Sequence, residues 1–320
     1  MPTCRNGSAL LTVLWLTAAL SAIGLAVASN VRGETERTST GIDDTRAFFI
    51  ARGAIEQAAL HVLWRGYTDA AGQPLYYRNG QPVIALDFPA AEVTVDIIPE
   101  MAKLNLNTAR PEDLLRLLAA LGVPVDRATE ITTAIIDWRS QPDPTRASPF
   151  DGYYLNQSPS FLPRHASFQE DEELLLTRGV TPGLYYGESL NDSQAGLRDC
   201  LSVYGSSWAV DVNSARTATL EAVGLSPEDA RDIAQRRTIH PILDYQEMAA
   251  IQQQLGTTGQ RLRIGGQTMF TLRATARLKQ PDGKLSDLRR TVAALVQFYF
   301  VGNSKGKPAG FQVIRWFDRT

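Results

Sequence analysis

Cysteine and histidine are scarce in this 320-residue chain: two cysteines and three histidines. Cys4 lies in the first few residues and Cys200 stands alone in the rest, so once a short leader is removed no internal disulfide can form. The histidines, His61, His165 and His240, form no H-E-x-x-H and no second pair at ligand spacing. No Gly-x-Ser-x-Gly elbow occurs, and Cys200 has no base beside it in sequence. Excess charge is missing too: a formal net charge of -2 gives no electrostatic reason to expect a nucleic-acid or anionic-surface partner. The segment Gly302 to Pro308 resembles a phosphate loop only in outline. It is one residue short, and Pro308 stands where a magnesium-binding hydroxyl is needed, so it reads as a hairpin tip. These absences exclude the common catalytic constellations, and the chain reads as a non-enzyme.

What is present begins at Ser8. From there to Ser29 no charged residue occurs, and a helix of that length, about 33 Å, crosses a bilayer's hydrocarbon core. Arg5 is the sole charge in the leader and favours a cytoplasmic start with the body exported. Beyond the polar stretch Arg32 to Arg37, helical spacing returns at Ala47, Ile50, Ala51, Ala54, Ile55, Ala58 and Val62. This predicts one helix, half in lipid and half packed on a soluble domain. Ala26-Val27-Ala28 after an apolar core also fits a cleaved secretory signal peptide, so composition alone leaves both readings open.

Downstream, Thr68 to Pro74 ends the helix, Asn79-Gly80 predicts a tight hairpin, and Val93 to Ile98 predicts a strand closed by Pro99. Two similar units follow. Asn107-Thr108-Ala109-Arg110-Pro111 offers a capping Asn or Thr, a first-turn proline and acids at the helix start, with a second helix over Arg127 to Trp138. Asn213-Ser214-Ala215-Arg216 opens the second unit, with a helix around Leu220, a turn at Gly224 to Pro227, and another helix over Asp229 to Arg237. Both read as helix-hairpin-helix units. Pro227 has no N–H to offer phosphate, and Arg231, Arg236 and Arg237 alternate with Glu228, Asp229 and Asp232, so protein packing rather than DNA is expected. The irregular segment from Ser140 to Gly187 is aromatic enough to be ordered, with a short helix near Phe168 to Thr177. Strands are predicted over Phe270 to Leu278, Thr291 to Val301 and Phe311 to Phe317, with a turn at Pro281-Asp282-Gly283. The fold class is α+β: a long N-terminal helix on an antiparallel sheet, interrupted by a large inserted all-α domain. The expected divisions are 1–7 leader, 8–29 transmembrane, 30–104 first sheet part, 105–265 insert and 266–320 closing strands.

Gly7-Ser8-Ala9-Leu10-Leu11, the long apolar helix, Arg32-Gly33-Glu34-Thr35-Glu36-Arg37, the two Asn-(Thr/Ser)-Ala segments and the closing strands together resemble the protein K family of the bacterial type II secretion system, a family of minor pseudopilins. Most pilin-like proteins have Glu at the fifth mature position; here it is Thr12, and lack of that Glu is a mark of protein K. The resemblance implies cleavage after Gly7 by a prepilin peptidase, N-methylation of Ser8, a single-pass inner-membrane anchor with a periplasmic body, and a pilin-like fold. It also implies partners: the I and J minor pseudopilins and the major pseudopilin, at the tip of a short pseudopilus. Nucleic acid is not among them. The family further carries an acidic calcium loop between an Asp-Trp and a Tyr-Tyr pair. Asp137-Trp138 and Tyr153-Tyr154 match those pairs, and Asp143 and Asp151 are the candidate calcium residues, although Ser140 and Phe150 stand where acids are expected. An ordinary polar loop is the competing reading. For the whole chain the alternative is a signal-peptide-bearing periplasmic binding protein whose helix-hairpin-helix modules hold a protein or DNA partner.

Overall fold

The computed structural model describes residues 6–142, 145, 148–187, 195–265, 268–300 and 308–318. Helix α1 (Asn6–Leu63) is unbroken over 58 residues, about 87 Å. Its two halves have opposite surroundings. Leu10, Trp15 and Leu25 are each more than 70% exposed, and α1 is the single helix among the described residues long and apolar enough to cross a membrane. In the second half Ala47, Ala51, Ala54, Ile55, Ala58, Ala59 and Val62 are fully buried. Their spacing of three and four places them on one stripe, and the small alanines let the helix backbone approach the sheet closely.

The sheet consists of β1 (Val83–Phe88), β2 (Ala91–Pro99), β7 (Met269–Lys279), β8 (Leu285–Phe300) and β9 (Pro308–Phe317), in that order, with every neighbour antiparallel. Alternation on β2 sends Val93, Val95 and Ile97 toward α1. They lie opposite Ala276, Ala274 and Leu272 of β7, and the next rung, Phe270, packs edge-on against Phe298 with centroids 5.4 Å apart. Between the adjacent strands β2 and β7 the chain leaves the sheet after Pro99 and returns at Met269.

The excursion contains β3 (Leu104–Asn105), α2 (Pro111–Ala120), α3 (Val125–Arg139), α4 (Asp151–Leu155), a 3-10 turn (Asp171–Leu176), α5 (Pro182–Tyr186), α6 (Leu197–Cys200), β4 (Leu201–Ser202), β5 (Val210–Asp211), α7 (Thr217–Ala222), α8 (Pro227–Ile239), α9 (Tyr245–Leu255) and β6 (Leu262–Arg263). It is predominantly helical, with two short parallel pairs, β3 with β4 and β5 with β6, added to what the helical pattern predicts. Its hydrophobic core, from Ala102 to Ile264, is separate from the core between α1 and the sheet. Trp138 is its aromatic centre, stacked on Phe168 at 5.9 Å and meeting Tyr154 edge-on at 5.6 Å. Tyr154 and Tyr185 are buried, which accounts for the order of that irregular segment, whereas Tyr153 and Tyr186 face outward.

Two local expectations are corrected. Asn79 and Gly80 do form a turn, closed by Gln81 N–H donating to the Arg78 carbonyl at 2.9 Å, but it joins no two strands. Gly80 alone of the pair has positive φ, at 87°, and a Cβ there would come within 2.6 Å of Ile264 Cγ2, so the turn is pressed against the helical insert. The hairpin actually made joins β1 and β2 through Pro89 and Ala90. At the start of α2 the cap position is Arg110, with no side-chain cap, rather than Asn or Thr. The loop from Val301 to Lys307 lies outside the described residues.

Candidate functional site

Gly7 and Ser8 fall in the first turn of α1, which begins at Asn6. The helix runs without interruption through Ala26-Val27-Ala28. Met1 to Arg5, including Cys4, lie outside the described residues, as does Asp143.

The two Asn-(Thr/Ser)-Ala segments make matching contacts. Asn107 accepts from the N–H of Phe168 at 2.7 Å and donates to its carbonyl at 3.0 Å. Asn213 treats Ile242 identically, at 2.8 and 2.6 Å. In both, the carbonyl one residue before the Asn is held by an arginine from the following long helix: Arg139 to Leu106 at 2.6 Å and Arg237 to Val212 at 2.7 Å. A primary amide has the donor and acceptor needed to occupy both backbone groups of one residue, which explains Asn at these positions better than helix capping does. The same contacts turn Arg237 inward, and Arg236 pairs with Glu247 at 3.2 Å, so two of the three arginines of α8 are engaged within the chain.

The units meet at Asp113, which is 1% exposed. Arg261 grips both its oxygens at 2.9 and 2.8 Å, Arg110 does so at 3.1 and 3.1 Å, and Arg116 reaches Oδ1 at 2.5 Å. Burial alone raises a carboxyl pKa; here the hydrogen bonds from Arg261 and Arg110 override it and the pKa is lowered. Arg116 also donates to the Ala222 carbonyl at 2.9 Å, tying α2 to the end of α7.

Cys200 is fully buried, and burial pushes its thiol up to about 12. Such a thiol is a small apolar side chain rather than a nucleophile. His61, at the packed end of α1, lies against Tyr76 with ring centroids 5.6 Å apart, and burial lowers its pKa.

The Asp-Trp and Tyr-Tyr pairs enclose a polar cluster. Asp137 lies in the last turn of α3, Asp151 begins α4, and His165, at φ 48°, is the one non-glycine residue with positive φ among those described. His165 Nε2 is 3.0 Å from Asp151 Oδ1 and Nδ1 is 3.2 Å from the Asp137 carbonyl oxygen. Ser148 Oγ donates to Asp137 Oδ2 at 2.8 Å. Ligand atoms of Asp137, Asp151 and His165 all lie within 4.8 Å of one another. Sequence reasoning identified Asp151 and used Asp137 as a landmark, but set His165 aside for want of a second histidine. The missed signal was the combination of one histidine with acids on different elements. Calcium takes six to eight oxygens. The described residues offer two carboxylates, one already bonded to Ser148, and a ring nitrogen, while the other candidate, Asp143, lies outside them.

Fold and site together define a pilin-like protein with one candidate membrane-spanning helix and a helical domain inserted in its sheet. A family model described as "Type II secretion system (T2SS), protein K" matches residues 101–187, within that insert. "Type II secretion system protein K" of Klebsiella pneumoniae is 29% identical over 196 residues, covering 57% of this chain and 60% of that protein's length. A solved chain from the GspK-GspI-GspJ complex of the enterotoxigenic Escherichia coli type 2 secretion system aligns over 89% of this chain and 99% of its own length, with a TM-score of 0.52 and 17% identity, a likeness of fold. Over the segments they match, the family model and the Klebsiella relative make this chain similar to the type II secretion system protein K family; the solved structure adds a likeness of fold.

Proposed function

We propose that the chain is a non-catalytic minor pseudopilin, held in the bacterial inner membrane by the first half of α1 with its body in the periplasm, and acting in protein export across the outer membrane. The observation that carries this reading is the division of α1: one unbroken helix whose apolar first half has no protein cover and whose second half fills the core of the sheet. A cleavable signal has no need of such continuity, whereas an assembly handle does. The leader 1–7 is removed after Gly7 by a prepilin peptidase and Ser8 is N-methylated. The transmembrane part is 8–29, the pilin-like unit comprises 30–104 and 266–320, and the insert is 105–265, built on two helix-hairpin-helix-like repeats.

Its place is the tip of the pseudopilus, beside the I and J minor pseudopilins and ahead of the major one. The solved complex named GspK-GspI-GspJ supports that company. In pilin-like subunits the fifth-position Glu is thought to pair with the N-terminal amine of the subunit ahead. Thr12 offers no carboxylate, which suits a subunit with none ahead of it, and the bulk inserted between β2 and β7 opposes stacking from above.

Intact mass and N-terminal peptide spectra of the mature protein test this. The expected species begins at methylated Ser8 and stays in the membrane fraction, copurifying with I and J subunits. A soluble species beginning at Ser29 overturns it in favour of the signal-peptide-bearing binding protein.

A further inference from the structure

The two helix-hairpin-helix-like units differ in how their arginines are satisfied. In the first, Arg110 at the head of α2 closes on Asp113, three residues on, with two hydrogen bonds of 3.1 Å. In the second, Arg216 holds the same place before α7, but the residue three further on is Thr219, which has no charge to offer. The ion pair that Arg216 does make, with Asp199, spans 3.8 Å and is too long for a hydrogen bond. Arg139 uses both terminal nitrogens on carbonyls of the first unit, Leu106 at 2.6 Å and Ala109 at 2.5 Å. Its counterpart Arg237 bonds Val212 at 2.7 Å and makes no matching bond to Ala215. A guanidinium has five N–H donors, so most of those on Arg237 are unused among the described residues. Burial lowers its pKa, against the pull of Asp211.

Arg216 and Arg237 line one cleft of about 840 Å³ between the insert and the outer face of the sheet, and so does Arg198 of α6. Arg198 lies over the Tyr186 ring at 5.3 Å and enters no ion pair among the described residues. The other acids of the cleft are engaged. Asp96 pairs with Arg273, Glu100 with Lys103, and Glu170 and Glu172 with Arg315, all within 3.5 Å, while Asp171 accepts from the Val203 N–H at 2.7 Å. Three cations are thus left facing Asp199 alone, a local surplus within a chain of net charge -2. Guanidinium forks with donors to spare select carboxylate or phosphate. The rest of the cleft separates the two. Leu295, Ile314 and Phe317 line its sheet side, and Tyr186 and Tyr204 are 47% and 42% exposed. That space exceeds one inorganic anion and suits a chain carrying apolar side chains between its charges.

We propose that Arg198, Arg216 and Arg237 form a binding site for carboxylates presented by a partner polypeptide segment of mixed acidic and apolar side chains, received in the cleft between insert and sheet. The proposal does not depend on the assembly role.

The test is fluorescence anisotropy of the full chain in detergent with a fluorescein-labelled synthetic decapeptide alternating glutamate and leucine. A second peptide has glutamine for every glutamate, and sodium phosphate serves as competitor. The expected result is binding at least about tenfold tighter for the glutamate peptide, weakening as salt rises. Arg198→Gln and Arg216→Gln each weaken it by about tenfold, while Arg231→Gln, on α8 but outside the cleft, leaves it unchanged. Circular dichroism checks that the variants fold. Four outcomes overturn the proposal: no binding of the glutamate peptide; equal binding of the glutamine peptide; displacement by phosphate at concentrations matching the peptide's, which makes the site one for a free oxyanion; or binding untouched in both Arg198→Gln and Arg216→Gln, which is partition into the micelle.

Discussion

Replacing Asp113 by Asn removes one charge and retains the shape, yet it acts on three guanidinium groups at once. Arg261 is 5% exposed and cannot turn to water when its partner loses charge; Arg110 and Arg116 are about half exposed and can. Leaving a buried ion without its counter-ion costs about 3–5 kcal/mol. Arg261 also donates to the Trp208 carbonyl at 3.1 Å, which prevents its withdrawal without further loss. The substitution should therefore destabilise the helical insert by about 3–5 kcal/mol. Arg261→Met should cost less, because Asp113 keeps Arg110 and Arg116; the lost charged hydrogen bonds set a scale of about 1.5–3 kcal/mol. Trp208 supplies the probe: its ring lies 5.1 Å from the Arg261 guanidinium and 5.8 Å from that of Arg110. Urea unfolding of the full chain in detergent, followed by tryptophan fluorescence and circular dichroism, measures both variants. The carboxyl pKa is depressed in the fold, so the contribution is present above the unfolded value and is lost as pH falls through the lower folded value. Asp113→Asn should thus approach the parent only in strong acid. A loss below about 1 kcal/mol, or Arg261→Met proving the more damaging, refutes the reasoning.

The matching asparagines give a second expectation: Asn213→Ala strands both backbone groups of buried Ile242, at about 1–3 kcal/mol for each, and should exceed Asn107→Ala, whose site is only partly buried, in the same unfolding assay. Asp171 titrates oppositely to Asp113. Burial, opposed by Lys103 and the Val203 N–H, raises its carboxyl to about 6, so its contribution is present below the unfolded value of 3.8 and lost as pH rises through about 6. Asp171→Asn keeps the acceptor for Val203 and should flatten that fall in a stability profile against pH; an unchanged slope counts against it. On α1, Ala54→Leu forces a larger side chain between helix and sheet and should cost about 1–3 kcal/mol by thermal unfolding, whereas Gln57→Leu on the exposed face should cost little.

The parts of the fold legible in sequence were those governed by periodicity. Alternation gave β2 and β7, three-four spacing gave the packed half of α1, and apolar length gave its other half, since each depends on which face a neighbour covers. The hairpin was misplaced because Asn79-Gly80 carries the stronger local turn signal than Pro89-Ala90, while docking against Ile264 is a long-range contact with no local signature. Asn107 was read as a cap for the same reason: local rules favour the helix beside it, but its amide is taken by Phe168, 61 residues away. His165 stayed hidden because its partners are brought to it by α3 and α4 rather than by spacing along the chain.

The continuity of α1 has a mechanical consequence. From Asn6 to Ala47, where the sheet first covers it, the helix projects about 60 Å as a rod containing no proline. On the membrane-anchored reading proposed above, push, twist or tilt applied at the apolar end arrives at the five strands through one continuous helix. On that reading, a force at the apolar end becomes motion of the whole body, and the anchor serves also as a drive shaft.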